Sequence, residues 1–257
     1  MSHQARKRFG QNFLHDQTII NNILAHAQAI PNEHWVEIGP GLGALTQPLL
    51  LTGVKLDVVE LDRDLVTHLE KKFANHHQLT IHSADALKFD FTGLVNSEEK
   101  LRIIGNLPYN ISTPLMFHLL ENTSCIKNML FMLQKEVVDR ICAEPGSKTY
   151  GRLSVMMQYF CAVEALFDVP PESFDPMPQV MSAIVRLTPY LTPPVVIKDF
   201  PSFKLLVTQA FSQRRKTIRN SLKNLLSEQQ IQALGIDPSL RAEMLSLEEF
   251  ALLNLHS

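Results

Sequence analysis

Between residues 35 and 135, short runs of β-branched and aliphatic residues alternate with longer amphipathic stretches. Few architectures accommodate that order. The strand candidates are 36–38, 55–61, 79–82, 101–105 and 129–133; helical stretches near 45–51, 65–75 and 114–121 lie between them. The last of these helices has Ser112 or Thr113 as its expected cap, with Pro114 tolerated in the first turn. Such alternation predicts an α/β fold, a parallel sheet with right-handed crossovers and helices on both faces. Ligands of these sheets bind beyond the carboxyl ends of the strands. The residues that follow each strand therefore carry the functional information.

Further along, residues 144–151 (EPGSKTYG) read as an exposed loop, followed by a helix and two strands near 160–169 and 182–187. The prolines of 189–195 favour an extended linker. Beyond it the pattern is helical at 203–211, 217–226 and 247–255. The expected division is a sheet domain over residues 1–190 and a small all-helical domain over 195–257. A chain of 257 residues has room for both, since a domain takes roughly 150 residues.

With 45% hydrophobic and 19% charged residues the chain is not of the disordered class. Its longest apolar runs, such as Met129–Leu133, are too short to span a bilayer, so no membrane association is expected. The basic start, MSHQARKRFGQNFLHDQ, has no apolar core behind it and does not read as a secretory signal. Cys125, Cys142 and Cys161 are too widely spaced for a metal site and read as reduced thiols of a cytoplasmic protein. No metal is expected. The net charge of −2 conceals two basic blocks, Arg6, Lys7 and Arg8 at the start and Arg214, Arg215, Lys216 and Arg219 within QRRKTIRNSLK. Blocks of one sign suggest a polyanionic partner, although such a block is commonly a solvated face.

The strand ends hold the chemistry. After the first strand comes VEIGPGLGALT (36–46), where Gly39, Gly41 and Gly43 allow a tight turn and close approach of backbone to a ligand. Gly39, Gly41 and Ala44 also fit a dinucleotide-binding fingerprint. Glu37 opposes that alternative, because a carboxylate beside the turn would repel a pyrophosphate. It suits a ligand with an ammonium and a sulfonium group, as in S-adenosylmethionine. Glu60, after the second strand, stands where a ribose-hydroxyl acceptor is expected. Asp85, followed by Ala86, ends the third strand and could accept from an adenine amino group or cap a turn.

GNLPYNIS (105–112) follows the fourth strand. The exocyclic nitrogen of adenine is a poor nucleophile because its lone pair is delocalised into the ring. Two acceptors aimed at its hydrogens pull it toward pyramidal geometry and return the lone pair. Asn106 offers a side-chain carbonyl and Leu107 a backbone carbonyl. Pro108 stiffens the turn, and Tyr109 can stack on the base. Phe174, in SFDPMPQV, is the candidate for a second aromatic wall. A base between Tyr109 and Phe174 must be unstacked, which costs least in single-stranded or loop RNA.

These segments, together with ARKRFGQNFL (5–14), VELDRDL (59–65), ADAL (84–87), FDPMPQVMSAIVRL (174–187) and FSQRRKTIRNSL (211–222), make the chain similar to one family over nearly its whole length. It resembles the small-subunit ribosomal RNA adenine N6,N6-dimethyltransferases, the dimethyladenosine transferases whose loss confers kasugamycin resistance. The resemblance implies a Rossmann-like S-adenosylmethionine-dependent methyltransferase sheet with a C-terminal helical RNA-binding domain. It implies that the QNFL segment, hence Asn12 and Leu14, folds over the methionine end of the cofactor. It also maps the cofactor site onto Gly39, Glu60, Asp85 and Asn106. The implied substrate is a pair of adjacent adenosines in a hairpin loop near the 3′ end of small-subunit (16S) RNA. The implied setting is an immature 30S particle late in ribosome assembly, with the enzyme acting as a monomer. Two alternatives stay open: a macrolide-resistance type of large-subunit RNA methyltransferase, and an assembly factor whose binding outweighs its catalysis.

Overall fold

The computed structural model describes residues 11–96, 99–213 and 215–257. Arg6, Lys7, Arg8 and Arg214 lie outside the described residues. The chain divides into two compact units, one of residues 1–138 and 164–189, the other of 139–163 and 190–257.

Among the described residues the first unit begins with β1 (Phe13–Leu14) and α1 (Gln17–Ala27), followed by β2 (His34–Ile38), α2 (Thr46–Leu51), β3 (Lys55–Glu60), α3 (Arg63–Lys72) and β4 (Leu79–Ser83). Then come β5 (Leu101–Asn106), α4 (Ser112–Leu120), β6 (Ile126–Gln134) and α5 (Lys135–Ile141), within which the chain enters the second unit. There α6 (Arg152–Phe160) leads to β7 (Cys161–Val169), which returns to the first unit and is followed by β8 (Phe174–Asp175) and β9 (Ser182–Pro189). Among the described residues, seven strands form one sheet in the order β4-β3-β2-β5-β6-β9-β7. β2 to β6 run parallel, and β9 is antiparallel to β6. The central strands are nearly continuously buried because both faces are covered, and every residue of β2 is buried. The outer strand β4 mixes partly buried with exposed residues and has none fully buried.

Several elements have no counterpart among the expected ones, α5 among them. The signals for α1 are nonetheless present: Asp16 caps it by accepting from the backbone N–H groups of Thr18 and Ile19, and Ile20, Ile23 and Ala27 form its buried stripe. A two-residue antiparallel pairing of β1 with β8 joins Phe13 to Asp175 and Leu14 to Phe174. The expected capping of α4 is corrected. Neither Ser112 nor Thr113 caps α4: the cap position is Ile111, without a side-chain bond, and Ser112 Oγ instead donates to the carbonyl of Tyr109.

Arg102, on β5, ties down the far end of α1. Its guanidinium donates to the carbonyls of Ala27 and Gln28 and to Glu33 Oε2 at 2.6 Å. It also bonds Asn128 and lies 4.2 Å from the Trp35 ring. Its fork thus satisfies helix-end carbonyls and neutralises a carboxylate at once.

In the second unit, α6 is joined by α7 (Phe200–Ala210), α8 (Ile218–Ser221), α9 (Glu228–Ala233) and α10 (Leu247–Leu255). Phe203, Leu206, Val207, Ile218, Phe250 and Leu253 are buried there. Ser227 with Gln230, and Ser246 with Glu249, make reciprocal capping bonds at the starts of α9 and α10. The helix expected over 217–226 is a single turn. Its entry is committed elsewhere: Thr217 bridges Arg241, and Ile218 N–H donates to the carbonyl of Leu240. Among the described residues no helix is long and apolar enough to cross a membrane.

Candidate functional site

The carboxyl ends of β2, β3, β4 and β5 open onto a cavity of about 370 Å³ in the first unit. Asn12, Leu14, Glu37, Gly39, Gly41, Glu60, Asp85, Ala86, Asn106, Leu107, Pro108 and Tyr109 all line it. Gln11, Phe13 and Leu65 join them, and the sequence reading did not single these out. Gln11 and Phe13 flank residues that it did, whereas Leu65 carries only the spacing of a core helix residue.

Two glycines make the site possible. Gly41 has φ of +58°, and a Cβ there would stand 3.1 Å from the Phe13 ring. The turn therefore needs a residue that tolerates left-handed backbone and lets the N-terminal segment come close. At Gly105 a Cβ would meet the Ile38 carbonyl oxygen at 2.6 Å, so any side chain would force β5 away from the end of β2.

Three carboxylates stand at consecutive strand ends. Glu37 is 2% exposed and accepts a 2.5 Å bond from Thr46 Oγ1; burial pushes its carboxyl up to about 7. Glu60 is also raised, first by burial, while the backbone N–H groups of Asp62, Gly41 and Leu61 oppose that rise. Asp85 accepts from the N–H of Leu87 at 3.0 Å, so it caps a turn and lines the cavity together. Buried acids raised in this way favour a cationic occupant, which returns to them the charge stabilisation that burial removes.

Across from these acids, the Asn106 side-chain amide donates to the carbonyl of Asn12 at 3.0 Å. A carbonyl can only accept, so this bond assigns the amide nitrogen to that side and turns Oδ1 away from it. Leu107 N–H donates to Met132, and Ile111 and Ser112 both donate to the Pro108 carbonyl, which fixes the turn. Burial lifts the Tyr109 phenol above its ordinary value, so it stays a neutral hydroxyl.

Phe174 stands apart. It is 3% exposed, its strand is paired with β1, and its ring belongs to the core with Leu14 and Trp35; it does not line the cavity. Arg215, Lys216 and Arg219 are exposed in the second unit, where Arg219 is 3.3 Å from Glu228. Asp57 bonds both His34 and His82, but none of the three lines the cavity. Among the described residues no group of three His, Cys, Asp or Glu could hold a metal.

A family model described as ribosomal RNA adenine dimethylase matches residues 2–255. Ribosomal RNA small subunit methyltransferase A of Hahella chejuensis is 56% identical over 97% of this chain and 92% of that protein. The protein of the same name from Pseudomonas aeruginosa is 56% identical over 96% and 92%. A solved dimethyladenosine transferase from Plasmodium falciparum superposes with a TM-score of 0.78 at 26% identity, covering 94% of this chain and 95% of that one. The 23S rRNA methyltransferase ErmE reaches 0.73 at 25% identity, covering 94% and 98%.

Proposed function

The chain belongs to the ribosomal RNA adenine dimethylase family, and from that membership we propose that it dimethylates N6 of two adjacent adenosines in the 3′-terminal hairpin loop of small-subunit (16S) RNA. It is an S-adenosylmethionine-dependent RNA methyltransferase. One observation carries the reading: the Asn106–Tyr109 turn and three strand-end carboxylates face a single cavity.

The cavity fits S-adenosylmethionine. Glu60 would accept from the ribose hydroxyls, Asp85 and Ala86 would meet the adenine, and the turn at Gly39 and Gly41 would pass close to the ligand. Glu37, with Asn12 and Leu14, would face the methionine end. A nicotinamide dinucleotide fits poorly, since its pyrophosphate would enter beside two buried acids. Bound there, the cofactor supplies a methyl group on a positively charged sulfur. The remaining work is positioning. Asn106 and the Leu107 carbonyl draw on the hydrogens of the adenine amine, and Tyr109 stacks on the base. No strong base is required, because the amine becomes acidic only once it has attacked.

Glu37 gives this reading a pH signature. Its carboxyl is pushed up to about 7 in the ligand-free protein, and a bound ammonium favours the ionised form. Binding below that value therefore releases a proton. Cofactor affinity should fall as pH drops from 7 to 5.5, by at most about tenfold per pH unit. Glu37→Gln should flatten that profile. Calorimetry that finds the same affinity across the window in the unaltered protein would contradict the role given to Glu37.

Arg215, Lys216 and Arg219 hold RNA phosphates in this account, as do Arg6, Lys7, Arg8 and Arg214 outside the described residues. Each phosphate contact contributes roughly 0.7–0.9 to the slope of log affinity against log salt. Arg215→Glu with Lys216→Glu should weaken binding to small subunits and flatten that slope by about 1.4 to 1.8. Cofactor affinity should stay unchanged, since the cavity is lined by the other unit. An unaltered slope would make the block a solvated surface. The enzyme acts as a cytoplasmic monomer on an immature 30S particle.

Likeness to a 23S rRNA methyltransferase keeps a large-subunit target as the second reading. The 56% identity to proteins named for the small subunit favours the first. Primer extension across both ribosomal RNAs, with and without the protein, decides between them. A stop that depends on the protein and lies in large-subunit RNA would overturn the proposal.

A further inference from the structure

Tyr109 is held at both ends. Its carbonyl accepts from Ser112 Oγ at the start of α4, and its phenol lies 2.8 Å from Ser182 Oγ on β9. The two hydroxyls are 73 residues apart in sequence and meet through the sheet. Ser182 pairs with Gln134 on β6, and β6 in turn pairs Met132 with Asn106 on β5. Ser182 is fully buried, where an unpaired hydroxyl is costly, and the Tyr109 phenol is the partner that satisfies it. The phenol oxygen lies on the axis of the ring, so this bond leaves ring rotation free. It fixes where the tip sits, and with it the depth and tilt of the ring in the cavity.

We propose that Ser182 is a positioning residue for methyl transfer, acting through its hydrogen bond to Tyr109 to hold the ring against which the target adenine is placed. The proposal rests on the reading that Tyr109 stacks on that adenine. Ser182 does not line the cavity and would touch neither cofactor nor RNA. A misplaced base can still bind, but its nitrogen is then poorly aligned with the methyl group. The loss should therefore fall on the rate of transfer rather than on substrate binding.

The experiment is a double-mutant cycle in the full chain. It measures single-turnover methylation of unmethylated small subunits, together with S-adenosylmethionine affinity. Ser182→Ala and Tyr109→Phe each remove the same bond and should each slow transfer by about tenfold, the worth of one buried hydrogen bond. The double variant should be no slower than the slower single one. Ser182→Thr keeps the hydroxyl and should recover most of the rate, and cofactor affinity should not move in any of them. A wild-type rate for Ser182→Ala, or two effects that multiply, would overturn the role of Ser182. Tyr109→Ala separates this from the underlying reading. A slow Tyr109→Ala with an unaffected Ser182→Ala refutes the positioning role alone. A fully active Tyr109→Ala refutes the stacking role and the proposal with it.

Discussion

Asn106→Ala is expected to slow methyl transfer by on the order of 100- to 1000-fold, the loss that follows removal of one preorganised polar contact. The expectation comes from how Asn106 is held. Its amide nitrogen is committed to the carbonyl of Asn12, so its oxygen is the end left to meet an amine. That oxygen is worth most when the adenine nitrogen becomes pyramidal, and so its removal raises the barrier more than it weakens the ground state. The same substitution cuts the bond to the N-terminal segment, so cofactor affinity should fall as well. Asn106→Asp keeps an acceptor at the same reach but sets a carboxylate against the Asn12 carbonyl. It should transfer methyl groups faster than the alanine variant while binding cofactor less tightly than the native protein. Single-turnover rates on unmethylated small subunits rank the three proteins. A near-native rate for a folded Asn106→Ala would mean that another group orients the amine.

Arg102→Met should cost about 1.5–3 kcal/mol of stability, the range for losing charge-assisted hydrogen bonds in a partly buried network. Arg102 is 8% exposed, and its loss leaves Glu33 Oε2 with only the longer bonds from the Ile30 and Trp35 N–H groups and takes the donor from the carbonyls of Ala27 and Gln28 at the end of α1. Lys127, 2.9 Å from the other oxygen of Glu33, is half in solvent and offsets little of this. Arg102→Lys should recover only part of the loss, because an ammonium cannot reproduce the fork. Trp35 is the single tryptophan, so its fluorescence during urea unfolding reports on this unit. A loss below about 1 kcal/mol, as for an exposed pair, would show that the network adds little.

What the sequence made legible, and what it did not, follows the range of the interactions. β2, β3 and β5 read clearly because each carries a short cluster of β-branched and aliphatic residues (Val36 and Ile38, Val58 and Val59, Ile103 and Ile104) between helical stretches. Once they are aligned, the residues after them, Glu37, Glu60 and Asn106, fall at one edge of the sheet. Contacts that form across long stretches of chain left no periodic trace. The pairing of β1 with β8 is only two residues long, so nothing in SFDPMPQV announced that Phe174 turns into the core. The partnership of Tyr109 with Ser182 is equally silent, since each hydroxyl alone looks like any polar residue near a strand end. α1 is a different case: Asp16 and the spacing of Ile20, Ile23 and Ala27 were readable. α8 shows the converse, where a helical pattern over 217–226 yields to Thr217 pairing with Arg241.

Mass spectrometry of the 3′ end of small-subunit RNA tests the central claim most directly. The comparison is between cells that carry the protein, lack it, or carry the Asn106→Ala variant. Two adjacent dimethylated adenosines should be present with the native protein, absent without it, and greatly reduced with the variant. The same two dimethyladenosines in cells lacking the protein would contradict the account.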